Sequence, residues 1–401
     1  MIKISNIGCL VTMRWEEFDT ILDAEVHVDG NIVLYAGSRS NAPQGQFEQE
    51  IDARGSLVTP GFIDAHTHAV FGGNRAIEFE RRAAGTSYQE IAASGGGIKS
   101  TVAATQGASE EQLVMAAAEN LNRLLRNGTT TVEIKSGYGL TPDSESAMLR
   151  VAAVASKQVG VSYRRTFLGL HAVPTGSNRE THVHEVAETN LYENAWDQCE
   201  YADAFVEDGY FTPADARALT ATCAWRGKRI RLHVDQLSDG KGALLAAELG
   251  AITADHLEYT NQDGIRAMAD ADVIPVLLPA SVHGLGKLRY PDARAMLAAG
   301  LRVVLATDLN PGSSPCFSLP FCMNLAMAYM KMSLYECFWA VTTNAARSLG
   351  LQATHGQIAP GFNADLVIWD VKTPQEIPYW IGAELANTVF ASGKLIYSRT
   401  Y

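Results

Sequence analysis

The sequence predicts an α/β protein: a closed (β/α)8 barrel of the TIM type, joined to a small β-sandwich domain that both chain ends form. Three observations predict this fold. The chain of 401 residues is too long for one small core, strand-like runs alternate with helical segments through its middle, and both ends are rich in strands. We therefore assign residues 1–57 and 351–401 to the small domain and residues 58–350 to the barrel.

The two chain ends share one kind of pattern. Short apolar runs are separated by turn-forming Asp, Gly, Asn and Pro, with little helical periodicity. These runs are KISNIGCLVT, EVHVDG and NIVLYAG at the beginning, and GQIAPGFNADLVIWDV and NTVFASGKLIYSRT at the end. Because the two patterns are alike, we expect the ends to meet in one domain.

The middle of the chain alternates between strands and helices. Starting from VTPGFIDAHTH, the further strand-like runs are TTTVEIKS, RRTFLGLHAV, ADAFVED, KRIRLHVDQ, AITADHLEY, VIPVLLPA and LRVVLATDLN. Segments between them, such as SEEQLVMAAAENLNRLLRNG, begin with Ser, end in Gly and repeat apolar residues three and four apart. About eight parallel strands favour a closed barrel, and no GxGxxG motif supports a dinucleotide-binding sheet.

Composition and charge exclude several classes of protein. Lys and Arg number 32 against 44 Asp and Glu, so the net charge of −12 would repel the phosphates of a nucleic acid. The six cysteines form no CxxC pair, which indicates reduced thiols. No signal peptide is visible, and no apolar run approaches the ~20 residues of a membrane helix. We expect a cytoplasmic protein without a nucleic-acid or membrane partner.

The first predicted barrel strand carries a pair of histidines. In FIDAHTH the residues Asp64, His66 and His68 are spaced by two, so their side chains point to one face of a strand, which in a barrel is the interior. Neutral imidazole is the commonest metal ligand in proteins. On its own, His-x-His is weak evidence of a metal site.

Three more ionisable residues stand where later strands end. His233, His256 and Asp308 lie at the ends of apolar runs, where catalytic residues of barrels collect and where an unpaired charge would be costly. The ligand set that we assign to one metal ion is His66, His68, His233 and Asp308. The set leaves a position for water, as catalytic sites do. His256 is left to support the ligands or to transfer protons, and Asp308 can both bind the metal and accept the proton of the water.

With these residues in place, the sequence resembles the amidohydrolase superfamily. Its members carry His-x-His on the first barrel strand, two later His residues and an Asp on the last strand, and many form a small β-sandwich from both termini. The stretches VTPGFIDAHTH and GQIAPGFNADLVIWD look like its landmarks. The resemblance implies a metal-dependent hydrolase and, as is ordinary for the family, a homodimer.

Almost the whole chain further resembles the members of this superfamily that open a ring in histidine degradation. The stretches that carry this resemblance are FGGNRAIEFERR, SYQEIAASGGGIKSTV, VEIKSGYGL, LHAVP, LAAELGAITADHLEY and ATDLNPGSSP. The resemblance implies hydrolysis of the cyclic amide of 4-imidazolone-5-propanoate to N-formimino-L-glutamate. It also places seven residues where these enzymes bind substrate or product: Arg75, Tyr138, His171, Gln236, Asn310, Gly312 and Ser313.

The chemistry of two of these positions agrees with a small anionic substrate. The guanidinium of Arg75 is suited to bidentate capture of a carboxylate. Asn310 and the backbone N–H groups of the following loop can meet a second carboxylate, the one that ring opening creates. We expect Tyr138 and His171 to hydrogen-bond the ring.

One position departs from the common pattern. Many family members have Glu at the fourth position of His-x-Asp-Glu, whereas this chain has Gln236. An amide does not transfer protons, so that duty falls to His256 beside Asp308. Lys135 is the only strand lysine to consider as a bridge between two metals, and it stands beside the substrate motif. We therefore expect one ion, either Zn²⁺ or Fe³⁺, since this ligand set suits both.

Two other functions remain open on the sequence alone. Gln236 leaves room for an aminohydrolase that releases ammonia from a purine-like or pyrimidine-like ring. A catalytically inactive scaffold of the same fold is the second alternative. Its sign would be lost ligands, and all the ligand positions are filled.

Overall fold

The computed structural model describes residues 1–14, 18–86, 90 and 95–399 of the chain. Most of the segment SYQEIAAS, which contributes to the resemblance above, lies outside the described residues. The strands are β1 (Ile2–Val11), β2 (Thr20–Asp29), β3 (Ile32–Ser38), β4 (Gln49–Asp52), β5 (Leu57–Pro60), β6 (Phe62–Thr67), β7 (Thr129–Lys135), β8 (Ser162–Leu170), β9 (Tyr201–Val206), β10 (Arg229–Val234), β11 (Thr253–His256), β12 (Ile274–Leu277), β13 (Val304–Leu305), β14 (Leu366–Trp369), β15 (Ala386–Ala391) and β16 (Lys394–Ser398).

Most of the helices lie between barrel strands. They are α1 (Ala76–Ala83), α2 (Ile98–Gly107), α3 (Glu110–Arg126), α4 (Pro142–Val159), α5 (Arg179–Ala187), α6 (Glu193–Gln198), α7 (Pro213–Trp225), α8 (Gly242–Glu248), α9 (Gln262–Asp270), α10 (Pro279–Gly284), α11 (Ala293–Ala298), α12 (Leu319–Tyr329), α13 (Leu334–Val341), α14 (Thr343–Ser348) and α15 (Glu376–Tyr379). No helix among the described residues combines the length and the apolar character needed to cross a bilayer.

Strands from both chain ends form one hydrogen-bonded sheet. Its order is β16-β15-β14-β5-β1-β2-β3, with β4 paired to β1. Its pairs are antiparallel except those of β1 with β4 and β5. Ile4, Leu10, Val26 and Phe390 are among the buried residues that pack its core. The sequence patterns of the two ends are therefore alike because the ends are parts of the same sheet.

Strands β6 to β13 form the predicted barrel. They are hydrogen-bonded in sequence order, and every described pair is parallel. The barrel closes between its first and last strands: the N–H of His68 donates to the carbonyl of Leu309 at 2.8 Å, and that of Asp308 donates to the carbonyl of His66 at 3.1 Å. Two stretches far apart in the sequence thus lie side by side.

The chain passes from the end sheet to the barrel at Gly61, where the two units are in close contact. A Cβ at this position would lie 2.2 Å from the side chain of Thr130. Nearby, the indole of Trp369 packs on Phe62 with 5.2 Å between ring centroids and donates a hydrogen bond to Thr59 at 2.8 Å. Burial of this large ring joins the sheet to the barrel.

Local sequence explains where the crossover helices begin. Ser109 caps α3 by accepting a hydrogen bond from the N–H of Gln112, whose side chain in turn accepts from the N–H of Ser109. Thr212 and Asp215 form the same capping box on α7. These caps fix the N-termini of the two helices, which adjoin the loops at the mouth of the barrel.

Candidate active site

The ends of the barrel strands surround a cavity of about 500 Å³. Its lining includes, besides other residues, ten of the eleven side chains that the sequence singled out: His68, Arg75, Tyr138, His171, Gln236, His233, His256, Asp308, Asn310 and Ser313, together with Gly312. The remaining one, His66, is fully buried beneath the cavity. The ends of six strands, β6, β7, β8, β10, β11 and β13, assemble this set, which explains why its members are so far apart in the sequence.

His66, His68 and Asp308 meet where the barrel closes. One carboxylate oxygen of Asp308 lies 3.5 Å from Nε2 of His66 and 3.6 Å from Nε2 of His68. Asp308 has a backbone φ of 52°, in the left-handed region that residues with a Cβ seldom adopt. Such outliers concentrate at functional sites, where the surrounding structure over-determines them.

His233 and His256 complete a cluster of four imidazoles. Ring centroids lie 4.5 Å apart for His66 and His233, 5.6 Å for His68 and His233, and 5.4 Å for His233 and His256. Two overlapping groups have ligand atoms within 4.8 Å of one another, namely His66–His68–Asp308 and His66–His233–His256. His66 is common to both groups. By these distances, His256 could offer a ring nitrogen to a metal ion as well as transfer a proton.

The cluster fits a metal ion because of the ring nitrogens that it leaves unpaired. Nε2 of His66 and Nε2 of His233 are buried and have no hydrogen-bond partner among the described residues. Buried polar atoms are nearly always satisfied, so such atoms indicate a ligand. Burial, followed by the positive charge of Lys135, lowers the pKa of His66 well below its usual value. The neutral ring that results is the form that binds metals.

Carboxylates beneath the cluster orient two of the rings. Oδ2 of Asp255 accepts a hydrogen bond from Nδ1 of His66 at 2.6 Å, and Oδ2 of Asp203 lies 3.0 Å from Nδ1 of His233. The hydrogen bond of Asp255 occupies Nδ1 of His66, and Nε2 of that ring faces Asp308 at 3.5 Å. Asp203 contacts His233 from the same ring position. A carboxylate behind a histidine is the usual support of a metal ligand.

Asp308 and His256, the two residues considered for proton transfer, have pKa values that their surroundings shift. Burial raises the pKa of the Asp308 carboxyl, and the nearby histidines oppose that effect. Burial disfavours the charged form of His256, but Glu258, with Oε1 3.5 Å from Nδ1, and Asp308 outweigh it and raise the pKa of that ring. The surroundings of each group therefore raise its pKa from the usual value.

Arg75 lines the cavity beside Glu78 and Gly312. Its Nε donates to Oε2 of Glu78 at 2.7 Å, which leaves its terminal nitrogens for another partner. A Cβ added to Gly312 would lie 2.2 Å from Nη1 of Arg75, so the guanidinium rests directly on this glycine. The loop after the last strand therefore sets the position of the cation.

Tyr138 and His171 form an aromatic wall with His68. The rings of His68 and His171 are stacked, with centroids 5.1 Å apart, and Tyr138 lies 5.2 Å from His171. Nδ1 of His171 donates to the carbonyl of Gly137 at 2.9 Å, so Nε2 is the acceptor of the neutral ring. Burial lowers the pKa of His171 to about 4, which keeps the ring neutral at physiological pH.

The loop at residues 310–313 is held together by the side chain of Asn310. Oδ1 of Asn310 accepts from the N–H groups of Gly312 and Ser313, and Nδ2 donates to the carbonyl of Asp308 and to Oγ of Ser313. In this structure both amide hydrogens of Asn310 are engaged within the loop. Its first role is to shape the loop on which Arg75 rests.

Gln236 differs from Asn310 in having an amide that no described residue engages. It lines the cavity, is half-buried, and makes no side-chain hydrogen bond within the described part of the chain. Asp235, its neighbour in the HVDQ motif, instead accepts from the N–H groups of Gly242 and Ala243 and caps α8. Of this pair, the glutamine lines the cavity and the aspartate does not.

The sequence interpretation did not identify several residues of the site. Arg82, Lys287 and Phe205 line the cavity, and the supporting carboxylates of Asp203 and Asp255 lie below it. The sequence does contain a signal for the two carboxylates. Asp203 in the apolar run YADAFV and Asp255 in AITADH are as unusual for a buried strand as His233 is in its own strand. Arg82 and Lys287 lie on surface-type segments, where sequence carries no such signal.

Comparison with known proteins agrees with this geometry. The model of the amidohydrolase family matches residues 57–396. An imidazolonepropionase of Solibacter usitatus is 47% identical over 96% of this chain and 93% of its own length. An imidazolonepropionase of Pseudomonas aeruginosa is 40% identical over 96% of this chain and 97% of its own length. In fold, the structure is similar to a 5-methylcytosine deaminase from Klebsiella pneumoniae, with a TM-score of 0.77 and 18% identity over 100% of this chain and 98% of the other. The chain belongs to the amidohydrolase family and, within it, to the imidazolonepropionases.

Proposed function

We propose that this chain hydrolyses the ring amide of 4-imidazolone-5-propanoate to N-formimino-L-glutamate, a step of L-histidine degradation. The observation that carries the proposal is that a buried cluster of histidines and the guanidinium of Arg75 face the same cavity. The cavity of about 500 Å³ suits a small substrate. One end of the substrate would be held as an anion while the other is hydrolysed.

The residues proposed to hold one Zn²⁺ or Fe³⁺ ion are His66, His68, His233 and Asp308. The unpaired ring nitrogens described above support this assignment. When bound, the ion supplies a nucleophile from water at neutral pH and polarises the ring carbonyl. His256 is a candidate fifth ligand on the distances alone, and its place beside Glu258 favours the proton-transfer role.

The other roles of the side chains are proton transfer and orientation of the substrate. Attack of water on the ring carbonyl carbon forms a C–O bond, and the amide C–N bond then breaks. Asp308 accepts one proton of the water and returns it to the ring nitrogen as the C–N bond breaks. The second proton, lost when the new carboxyl group ionises, is taken up by the basic formimino nitrogen, so the charges balance within the ring-opened product. His256 orients the water and stabilises the negative charge that develops on the carbonyl oxygen.

Three polar groups around the cavity orient the ring. Nε2 of His171 accepts a hydrogen bond from a ring N–H, and the hydroxyl of Tyr138 donates to the ring. The free amide of Gln236 does both, as a carboxylate would not. Arg75 binds the propionate carboxylate with its terminal nitrogens.

We expect Gly312→Ala to raise KM for the propionate substrate about tenfold while kcat changes little, because losing one good charged hydrogen bond is worth about 1.5 kcal/mol. The new Cβ would displace the guanidinium of Arg75, the far end of a flexible side chain, so stability should hardly change. Steady-state kinetics and a thermal melt measure both. Gly107→Ala, with open space around its Cβ position and no positive φ, is the control for a glycine that touches nothing. An unchanged KM would show that Gly312 does not position the cation.

One assay tests the proposed function. Purified protein, loaded with Zn²⁺ or iron, is mixed with enzymatically generated 4-imidazolone-5-propanoate, and loss of the ring's ultraviolet absorbance is followed. Disappearance of the ring with formation of N-formimino-L-glutamate is the expected result. Ammonia release from a purine or pyrimidine base, with the imidazolone untouched, would favour the aminohydrolase alternative. Inactivity on both classes of substrate with the metal bound would favour the scaffold.

Two further expectations belong to the proposal. A homodimer is expected from the family, and sedimentation velocity measures it. A cytoplasmic location follows from the proposed substrate, and fractionation of cells measures it.

A further inference from the structure

Beneath the histidine cluster lies a network of charged side chains with no exposure to solvent. It contains the carboxylates of Glu133, Asp203 and Asp255 and the cations of Lys135 and Arg231. Packing alone gives no reason to bury five charged groups, since each loses its hydration. The network must therefore be understood from what it touches.

We propose that Lys135 is a positioning residue for the metal site: its ammonium group fixes the two aspartates that orient His66 and His233, and so sets the affinity of the site for its ion. This inference rests on the metal site proposed above. It gives the lysine of the VEIKSGYG stretch a role that is neither a bridge between metals nor a contact with substrate.

The geometry of the ammonium group carries the proposal. Nζ of Lys135 donates to Oδ2 of Asp203 at 2.8 Å and lies 3.7 Å from Oδ2 of Asp255. The same oxygen of Asp203 is 3.0 Å from Nδ1 of His233, and the same oxygen of Asp255 accepts from Nδ1 of His66 at 2.6 Å. One cation thus stands behind both carboxylate–histidine pairs.

A third contact fixes the ammonium group itself. Nζ donates to Oε1 of Glu133 at 2.9 Å, and Glu133 lies two residues before Lys135 on β7, on the same face of the strand. Glu133 is held in turn by the hydroxyl of Thr166 on the next strand. The position of Nζ is therefore set by two neighbouring strands rather than by a flexible stem.

Arg231 does not duplicate this role. Its terminal nitrogens donate to the backbone carbonyls of Ala65 at 2.9 Å and Ser348 at 3.2 Å, and its closest carboxylate oxygen, on Asp255, is 3.6 Å away. The guanidinium chiefly ties strands and a helix together. Without Lys135, Asp203 would lose the only charged donor hydrogen bond that the described residues give it.

The experiment uses Lys135→Met, which keeps the length of the side chain and removes its charge. Zn²⁺ is the probe, and its dissociation constant is measured by competition with a chromophoric chelator. We expect that constant to rise about 10- to 100-fold, the usual cost of removing a group that supports a metal ligand. We also expect a smaller difference in Tm between the Zn²⁺-loaded and the metal-free protein.

A second variant separates the loss of a contact from the loss of charge balance. Glu133→Gln with Lys135→Met removes one anion and one cation together, so the net charge of the network is unchanged and the fold survives more readily. The aspartates still lack their donor, so the affinity for Zn²⁺ should fall to a similar extent. Lys228→Met, whose Nζ contacts only the carbonyl of Cys199 among described residues, is the matched control and should bind Zn²⁺ like the wild type.

A merely structural role predicts a different outcome. Both variants would then lower the Tm of the metal-free protein, with a Zn²⁺ dissociation constant within twofold of the wild type. That result would overturn the proposal. Because Zn²⁺ binding is measured without substrate, the test is independent of the reaction proposed above: tight Zn²⁺ binding with no imidazolone hydrolysis would contradict the function and leave this inference standing.

Discussion

Asp308→Asn is expected to lower kcat by about 10³-fold, in the middle of the range for loss of a general acid–base group. The carboxylate lies 3.5 and 3.6 Å from the ring nitrogens of His66 and His68, where it is placed both to hold the ion and to move the proton. Asparagine has nearly the same shape but neither the charge nor the basicity. The loop should keep its shape, because Nδ2 of Asn310 donates to the backbone carbonyl of residue 308 at 2.7 Å. The carboxylate itself accepts a long hydrogen bond of 3.4 Å from Oγ of Ser313, which an asparagine oxygen can still accept.

Metal content must be measured in the same experiment, since the substitution also removes a ligand. We expect the loss in kcat to persist when Zn²⁺ is added to saturation. Asp64→Asn is the matched control: Asp64 is equally buried on β6, its oxygens accept from the N–H and hydroxyl of Thr307 at 3.0 and 2.6 Å, and it does not line the cavity. A loss in Asp308→Asn no larger than in this control would contradict the assigned role.

Arg75→Met is expected to lower kcat/KM for 4-imidazolone-5-propanoate about 100-fold, almost entirely through KM. Truncating one partner of a buried charged pair costs about 3 kcal/mol, and each 1.36 kcal/mol is a factor of ten. The fold should remain intact, because Glu78 keeps hydrogen bonds from the N–H of Gly97 and the hydroxyl of Ser100.

A neutral substrate analogue makes this prediction specific. Wild-type protein should discriminate strongly between the propionate and its amide, while Arg75→Met should treat the two nearly alike. The combination is a double-mutant cycle between an enzyme group and a substrate group. If the variant lost as much activity on the amide as on the propionate, Arg75 would act on the shape of the site and not on the carboxylate.

The fold was predictable because its signals are local. Each barrel strand is a short apolar run, each crossover helix has its own period and cap, and these features do not depend on the rest of the chain. The metal cluster was predictable for a related reason: His233 and Asp308 are anomalous in apolar strands whatever surrounds them. The structure confirms the barrel and brings the four assigned ligands together.

The supporting groups of the site were harder to predict. Asp203 and Asp255 carry the same strand anomaly as the histidines. Only the closed barrel places Asp203 of β9 behind His233 of β10, and Asp255 of β11 behind His66 of β6. The sequence identifies Lys135 as a lysine on a barrel strand but does not show what its ammonium group contacts. Its three carboxylate neighbours come from β7, β9 and β11, so no local pattern contains them.

The sequence by itself therefore determined the barrel, the family and the kinds of side chain at the strand ends, since periodicity and residue type are properties of single segments. The tertiary structure alone decided that His256 approaches His66 and His233 closely, that Asn310 is engaged in its own loop, and that Arg75 rests on Gly312. The physical reason is that these contacts depend on how eight strands close on one another. That closure is fixed by packing across the whole barrel and not by any one stretch of chain.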